Sequence, residues 1–444
     1  MAEVPIKNVG AAIANSSSTG SKWSKMDIMA TVNRIGELKK ALKILIIVII
    51  VGLVIWGLIA LYKYTVEQYE KTSSPKHNVI ILKDRLNQLS APYEQRKDKI
   101  RGYEEAAKLV GQDEQALANF RVLTTNIAGY MGPLVNGVFS EKDAVTRAFE
   151  LGVRHFVLPI DYLDERPDVP RIVVRDVGGW LKSNNTGSIE QVVQGILDMR
   201  KRNNDPILLT LYFYRLPGEG AASNEALNFM SSVARSLQPI ASYHIGITTE
   251  GDYRRQGMAD SLFMKNIDTY ARKVIIMTNV DTAGFRRPDV HYKPVEDLDL
   301  WTHLRIFTEE SPSSFNVNIP DKTIATYGVL NSLAYYSQIP KDQETAVSDK
   351  TRLKFTIAFD YSPIELPQAY AVKNAAALGV QSVAYDVFTD VAENGAALTT
   401  ALGFTANGFV LKDAPLRFKK LAPVVAATPP SEINANGGSI PSPK

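Results

Sequence analysis

The chain has 444 residues, 45% of them hydrophobic, and carries 50 basic and 47 acidic side chains for a net charge of +3. That length can bury a large core without metal or disulfide, and the nearly balanced charge points away from nucleic acid as a partner. Cysteine is absent, which excludes disulfides, thiolate metal sites and cysteine nucleophiles but leaves the redox compartment open.

Residues 1–43 form a basic arm, with Lys7, Lys22, Lys25, Arg34, Lys39, Lys40 and Lys43 set against Glu3, Asp27 and Glu37. Residues 44–62, ILIIVIIVGLVIWGLIALY, follow without a charge. At roughly 1.5 Å per residue such a helix spans about 28 Å, the thickness of a bilayer core. No small-residue cleavage site follows it, so the segment reads as an uncleaved signal anchor, with Tyr62 placed for an interface. The positive-inside rule puts the N-terminus in the cytoplasm and the large C-terminal part on the opposite side.

Residues 63–119 are charged and largely helical in pattern, broken by Pro75 and Pro92, and read as a stalk. The apolar spacing is not sustained over the three or four heptads that a coiled coil needs. From Asn119 onward short runs of Val, Ile and Leu alternate with helical patterns. The candidate strands are 120–125, 155–160, 171–175, 207–214, 243–248, 273–278, 352–359 and 382–388. Several are apolar on both faces, which suits parallel strands covered by helices. Ser140 with Asp143, and Ser188 with Gln191, have capping-box spacing at predicted helix starts.

Eight such strands with helical crossovers predict an α/β fold, a (β/α)8 barrel over 120–418, with a doubly wound sheet as the alternative. Residues 282–351 are too long for one crossover and read as a linker or insertion between halves 120–281 and 352–418, with a candidate strand of their own around 300–307. Residues 419–444, rich in Pro, Gly, Ser and Asn, are expected to be disordered.

In a (β/α)8 barrel the reacting groups stand at the C-terminal strand ends. Those ends supply Asn126, Asp161, Arg175, Asp176, Tyr214, Arg215, Asn279, Asp281, Asp360 and Asp386, a polar rim that any barrel facing solvent also needs. His155 lies six residues before Asp161 on its strand, too far to share a compact site, and reads as structural. The other histidines, His77, His244, His291 and His303, show no metal-ligand spacing.

The run GVQSVAYDVFT (379–389), followed by GFTANGFVLKDAPLRF (403–418), resembles the close of the eukaryotic phosphoinositide-specific phospholipase C barrel. Gly379, Gln381, Val383, Ala384, Thr389, Gly403, Phe404, Asn407, Gly408, Val410, Leu411, Lys412, Leu416 and Arg417 agree with the family pattern in order. More weakly, 124–131, 144–161 and 205–214 resemble its opening half. The resemblance implies a phospholipase C-like barrel whose active relatives use two histidines as general acid and base, beside a calcium ion held by carboxylates and an asparagine.

Carried over residue by residue, that machinery is missing. The first histidine falls at Thr125 or Asn126 and the second at Val174 or Arg175, while the calcium carboxylates fall at Val157, Pro159 and Tyr212. Asn126 alone could keep its role, and one neutral oxygen does not hold a hard cation. Two headgroup lysines are matched by Met277 and Asn279, and a seventh-strand arginine by Ala358. The resemblance therefore implies an inactive enzyme relative with no cofactor, a binding or structural module with protein partners. A single-pass barrel of this architecture also resembles proteins encoded by large DNA viruses, which implies a role at a virion membrane or capsid. The competing expectation is a phosphodiesterase using Asp161, Asp176, Asp360 and Asp386 around calcium or magnesium.

Overall fold

The computed structural model describes residues 25–71, 75–96, 101–133, 137–176, 179–183, 185–218, 223–245, 259–282, 294–309, 328–359, 365–405 and 407–419. The chain divides into two compact units, residues 1–70 and 71–444.

The described residues of the first unit lie in one helix, Lys25–Lys71. Its stretch Glu37–Tyr64 has a mean hydropathy of 3.3, and none of its most apolar window is buried within the protein. A soluble helix hides its apolar stripe, whereas this one is apolar all round and exposed. It is long and apolar enough to cross a membrane.

The second unit is built on eight parallel strands. They are β1 (Phe120–Thr125), β2 (His155–Leu163), β3 (Ile207–Phe213), β4 (Val274–Thr278), β5 (Leu304–Phe307), β6 (Gly328–Asn331), β7 (Thr356–Phe359) and β8 (Ser382–Tyr385). Each pairs with the next, and β1 pairs with both β8 and β2, which closes the barrel. Alternation along the strands sorts side chains into two layers. Val122, Val157, Leu208, Met277, Ile357 and Phe359 belong to the inner cluster. Phe156, Leu158, Leu209, Ile276 and Val383 belong to the outer one, packed with the helices Glu141–Glu150, Ile189–Arg200, Asn224–Ser236 and Ala369–Ala377. Burial on both faces is why these strands read as continuous apolar runs. The Ser188 side chain caps its helix by accepting from Gln191 N–H at 3.4 Å, whereas Ser140 bonds Asp143 Oδ2 at 3.0 Å instead.

The predicted (β/α)8 architecture is present, but two strands change membership. The run 171–175 is not a barrel strand; Arg166–Ile172 folds back antiparallel on β2, pairing Ile172 with Ile160. Pro167 and Pro170 suit an edge arm, because proline cannot donate to a central ladder. In 243–248 the described part makes only an isolated bridge, His244 with Val274, and 246–248 lie outside the described residues. The places are taken by β5 and β6, both inside the stretch read as a linker. β5 lies in the candidate strand at 300–307, which the sequence assigned to the linker, whereas GVLN of β6 is too short for periodicity to declare.

Residues 75–119 belong to the barrel unit, where the sequence suggested a stalk. Leu82, Leu86, Leu89 and Tyr93 make a short apolar stripe on the helix Pro75–Arg96, and it packs into the outer cluster. Arg85, 2% exposed, fastens it by donating to Thr389 Oγ1 at 3.2 Å and pairing with Glu393 at 3.0 Å. Asn78 exchanges amide hydrogen bonds with Asn185. The chain then passes to the N-terminal ends of the strands, where Leu117 and Ala118 are wholly buried. Of the tail expected over 419–444, all but Lys419 lies outside the described residues.

Candidate functional site

The C-terminal ends of the strands bring together most residues that the family resemblance singled out. Val157 and Pro159 sit on β2 with their side chains buried, and Pro159 is in register with Tyr212 of β3. Tyr212 is 1% exposed. Its ring centroid lies 4.8 Å from that of Phe359 and 5.3 Å from that of Tyr214. Met277 and Val157 complete this apolar packing. At the positions that the resemblance matches to acidic ligands, this barrel is filled with side chains.

Asn126, just past β1, is buried, and its backbone N–H donates to the Tyr385 carbonyl at 3.2 Å. Its Oδ1 has no hydrogen-bond partner among the described residues. The donor set at these positions is thus one amide oxygen, a phenol and two apolar side chains. It does not fit calcium, which takes six to eight oxygens, several of them carboxylate.

Arg175, expected at the second histidine's position, is tied to Asp161. Its Nε donates to Asp161 Oδ2 and its Nη1 to the Gly179 carbonyl. The other oxygen, Oδ1, accepts from Arg215 Nε at 2.8 Å and from Tyr162 N–H at 2.7 Å. Arg215 also reaches Asp164 at 2.7 Å and lies over the Tyr162 ring at 4.1 Å. Burial works to lower the Arg215 pKa, and the Asp161 carboxylate overcomes it, so the net shift is upward. Asp161, itself 0% exposed, is a carboxylate bridging two guanidinium groups.

The remaining carboxylates of the alternative metal site have separate engagements. Asp176 pairs with Lys182 at 2.9 Å and accepts from Trp180 N–H at 2.9 Å. Asp386 caps the helix Val387–Glu393, accepting from Phe388 N–H at 2.9 Å and from the Thr389 hydroxyl at 2.7 Å. Burial raises its pKa, opposed by the Thr389 hydroxyl and by Arg85. Asp360 lies outside the described residues. Among the described residues no group of three or more His, Asp and Glu side chains is placed to hold a metal ion.

Three further expectations resolve differently. Counted round the closed barrel, the strand of Met277 is the fourth rather than the sixth, and the Asn279 amide is occupied by Phe213 N–H at 2.7 Å and the Phe213 carbonyl at 2.9 Å. Ala358 packs in the outer cluster, away from the barrel interior, so it cannot stand where a headgroup arginine would. His155 is structural, as its spacing suggested, but it is not exposed at all. It lies in the interior with Nδ1 2.8 Å from Ser382 Oγ and Nε2 2.8 Å from Thr210 Oγ1. Burial pushes its pKa down to about 3. The Arg175–Asp161–Arg215 cluster and this hydroxyl cage were missed in the sequence, because their members lie on different strands with no fixed spacing.

Solved phospholipase C structures are similar to this barrel. One, PLC21 from L. pealei, has 13% identity and a TM-score of 0.46, covering 69% of this chain and 38% of its own. A calcium-dependent phosphatidylinositol-specific phospholipase C from Streptomyces antibioticus has 14% identity and a TM-score of 0.39, covering 62% of this chain and 96% of its own. A third, the calcium-dependent phosphoinositol-specific phospholipase C of a Pseudomonas species, has 10% identity and a TM-score of 0.37, covering 62% of this chain and 92% of its own. This chain therefore spans well under half the length of L. pealei PLC21. No family model matches the sequence. No curated protein matches it either.

Proposed function

We propose that this chain is a membrane-anchored, non-catalytic phospholipase C-like barrel that serves as a structural or binding module. The observation that carries the reading is the packing of Tyr212 against Phe359 and Tyr214 at the strand ends, where catalysis would need acidic ligands and room for a phosphodiester. The second support is Arg175, which occupies an expected acid–base position yet is committed to Asp161. A guanidinium stays protonated throughout the working pH range and cannot shuttle a proton.

The anchor is the apolar helix over Glu37–Tyr64. Seven basic residues against three acidic ones before residue 44 place the N-terminus in the cytoplasm and the barrel across the membrane. A virion membrane is the setting that the architecture suggests, and the partners of such a module are proteins.

The test is carbonate extraction and protease protection of the full chain in its native membrane, followed by chemical cross-linking. Retention in the membrane pellet, a protected barrel and discrete cross-linked protein neighbours are expected. Release by carbonate, or a barrel digested from the cytoplasmic side, overturns the topology.

A further inference from the structure

The seam between β4 and β5 has only two ladder pairs, Met277 with Leu304 and Thr278 with Arg305. Below them a side chain continues it. The His303 N–H donates to the Ile276 carbonyl at 2.9 Å, and the Ile276 N–H donates back to His303 Nδ1, also at 2.9 Å. An imidazole nitrogen here takes the acceptor place that main-chain carbonyls fill elsewhere in the wall. Accepting at Nδ1 leaves the ring proton on Nε2, which donates to the Ile245 carbonyl at 2.7 Å. The ring is fixed as one neutral tautomer.

His244 stacks on it, with ring centroids 4.0 Å apart and planes 29° from parallel. Its Nε2 donates to the Trp301 carbonyl at 2.8 Å, and its Nδ1 is buried with no hydrogen-bond partner among the described residues. Both rings are buried. Protonating His303 would set an N–H of the ring against the N–H of Ile276, and a charge on either ring would lie against the other.

We propose that the His244–His303 stack is an acid-sensitive fastening of the barrel wall, which opens at the β4–β5 seam when the imidazoles take up protons. The surrounding charges do not relieve it. Lys273 at the foot of β4 adds positive charge toward His244. On the neighbouring helix Leu298–Trp301, Asp297 caps the Asp299 N–H at 2.8 Å, and Asp299 is engaged by Thr282 and Arg305. Arg305 on β5 pairs also with Asp281 at 2.6 Å. Burial lowers the pKa of His244 to about 4 and, with the neighbouring ring, that of His303 well below the ordinary value. Since both folded values are depressed, the fastening is intact above the unfolded value of about 6.5 and weakens as pH falls below it.

The test is hydrogen–deuterium exchange of the full chain in detergent micelles at pH 7.5 and pH 5, corrected for intrinsic rates. Protection of residues 274–280 is expected to fall by about 30-fold for each histidine released, while the helix at 369–377, which pairs with neither β4 nor β5, falls by at least about tenfold less. A His303→Asn variant, which keeps an acceptor near the Nδ1 position without titrating, should reduce the fall by about 30-fold, the share of His303. If that variant does not fold, His244→Phe keeps a stacked ring and should reduce the fall by about 30-fold, one histidine's share. Unchanged protection at 274–280, or an equal loss at 369–377, overturns the proposal.

Discussion

His155 Nδ1 lies 2.8 Å from Ser382 Oγ inside the barrel, and neither residue has any exposed surface. A histidine beside a serine hydroxyl invites a nucleophilic reading. Here the pair is closed off, with Thr210 Oγ1 on the opposite ring nitrogen at 2.8 Å and no approach for a substrate. Replacing His155 with Leu leaves two buried hydroxyls without their partner and should cost about 2–4 kcal/mol in urea unfolding of the full chain in detergent. A Ser382→Ala change added to it should recover part of that loss.

The same ring sets a pH dependence. Its folded pKa is about 3 against an unfolded value near 6.5, so its contribution is complete above pH 6.5 and is lost as pH falls toward 3. The full loss is on the order of 5 kcal/mol. Melting followed by circular dichroism between pH 7.5 and 4 should show a steady decline that is shallower in the His155→Leu variant.

The helix Pro75–Arg96 is part of the barrel body. Leu89, 1% exposed, should cost about 2–4 kcal/mol when changed to Ala. Arg85→Ala should be comparably harmful, because it frees Glu393 and the Thr389 hydroxyl from a buried guanidinium. Limited proteolysis reads this directly, with faster cutting of residues 75–96 in either variant. Unchanged cutting would mean that the helix is only loosely attached.

Asp161→Asn should act on stability. It removes a buried charge between Arg175 and Arg215 and should lower unfolding free energy by about 3 kcal/mol, measured by urea titration. Tyr212→Glu, which restores a carboxylate where the resemblance expects one, should destabilise strongly, since an unpaired charge would replace a ring packed at 4.8 Å from Phe359.

Six of the eight barrel strands were legible. β1, β2, β3, β4, β7 and β8 all lie in apolar runs covered on both faces, which the sequence displays directly. β5 was read as a strand of the linker, at 300–307, and β6 was not read at all, because GVLN is interrupted by Gly328 at a point of contact with Ile306 and Leu304. The run 171–175 was mistaken for a barrel strand on its Val and Ile content, although Pro167 and Pro170 just before it marked the arm Arg166–Ile172 as an edge. At the candidate site the residue types at 157, 159 and 212 were readable. What was not readable is that Arg215, forty residues beyond Arg175, completes the clasp on Asp161, since only the fold brings them to one carboxylate.

A barrel of the proposed non-catalytic kind does not hydrolyse phosphodiesters. The most direct measurement is release of inositol phosphate or glycerol phosphate by the purified full chain, from phosphatidylinositol vesicles and glycerophosphodiesters, with calcium or magnesium added across a wide concentration range. Release equal to the protein-free blank under every condition is the predicted result. Metal-dependent turnover that disappears in the Asp161→Asn variant while the variant remains folded would contradict it.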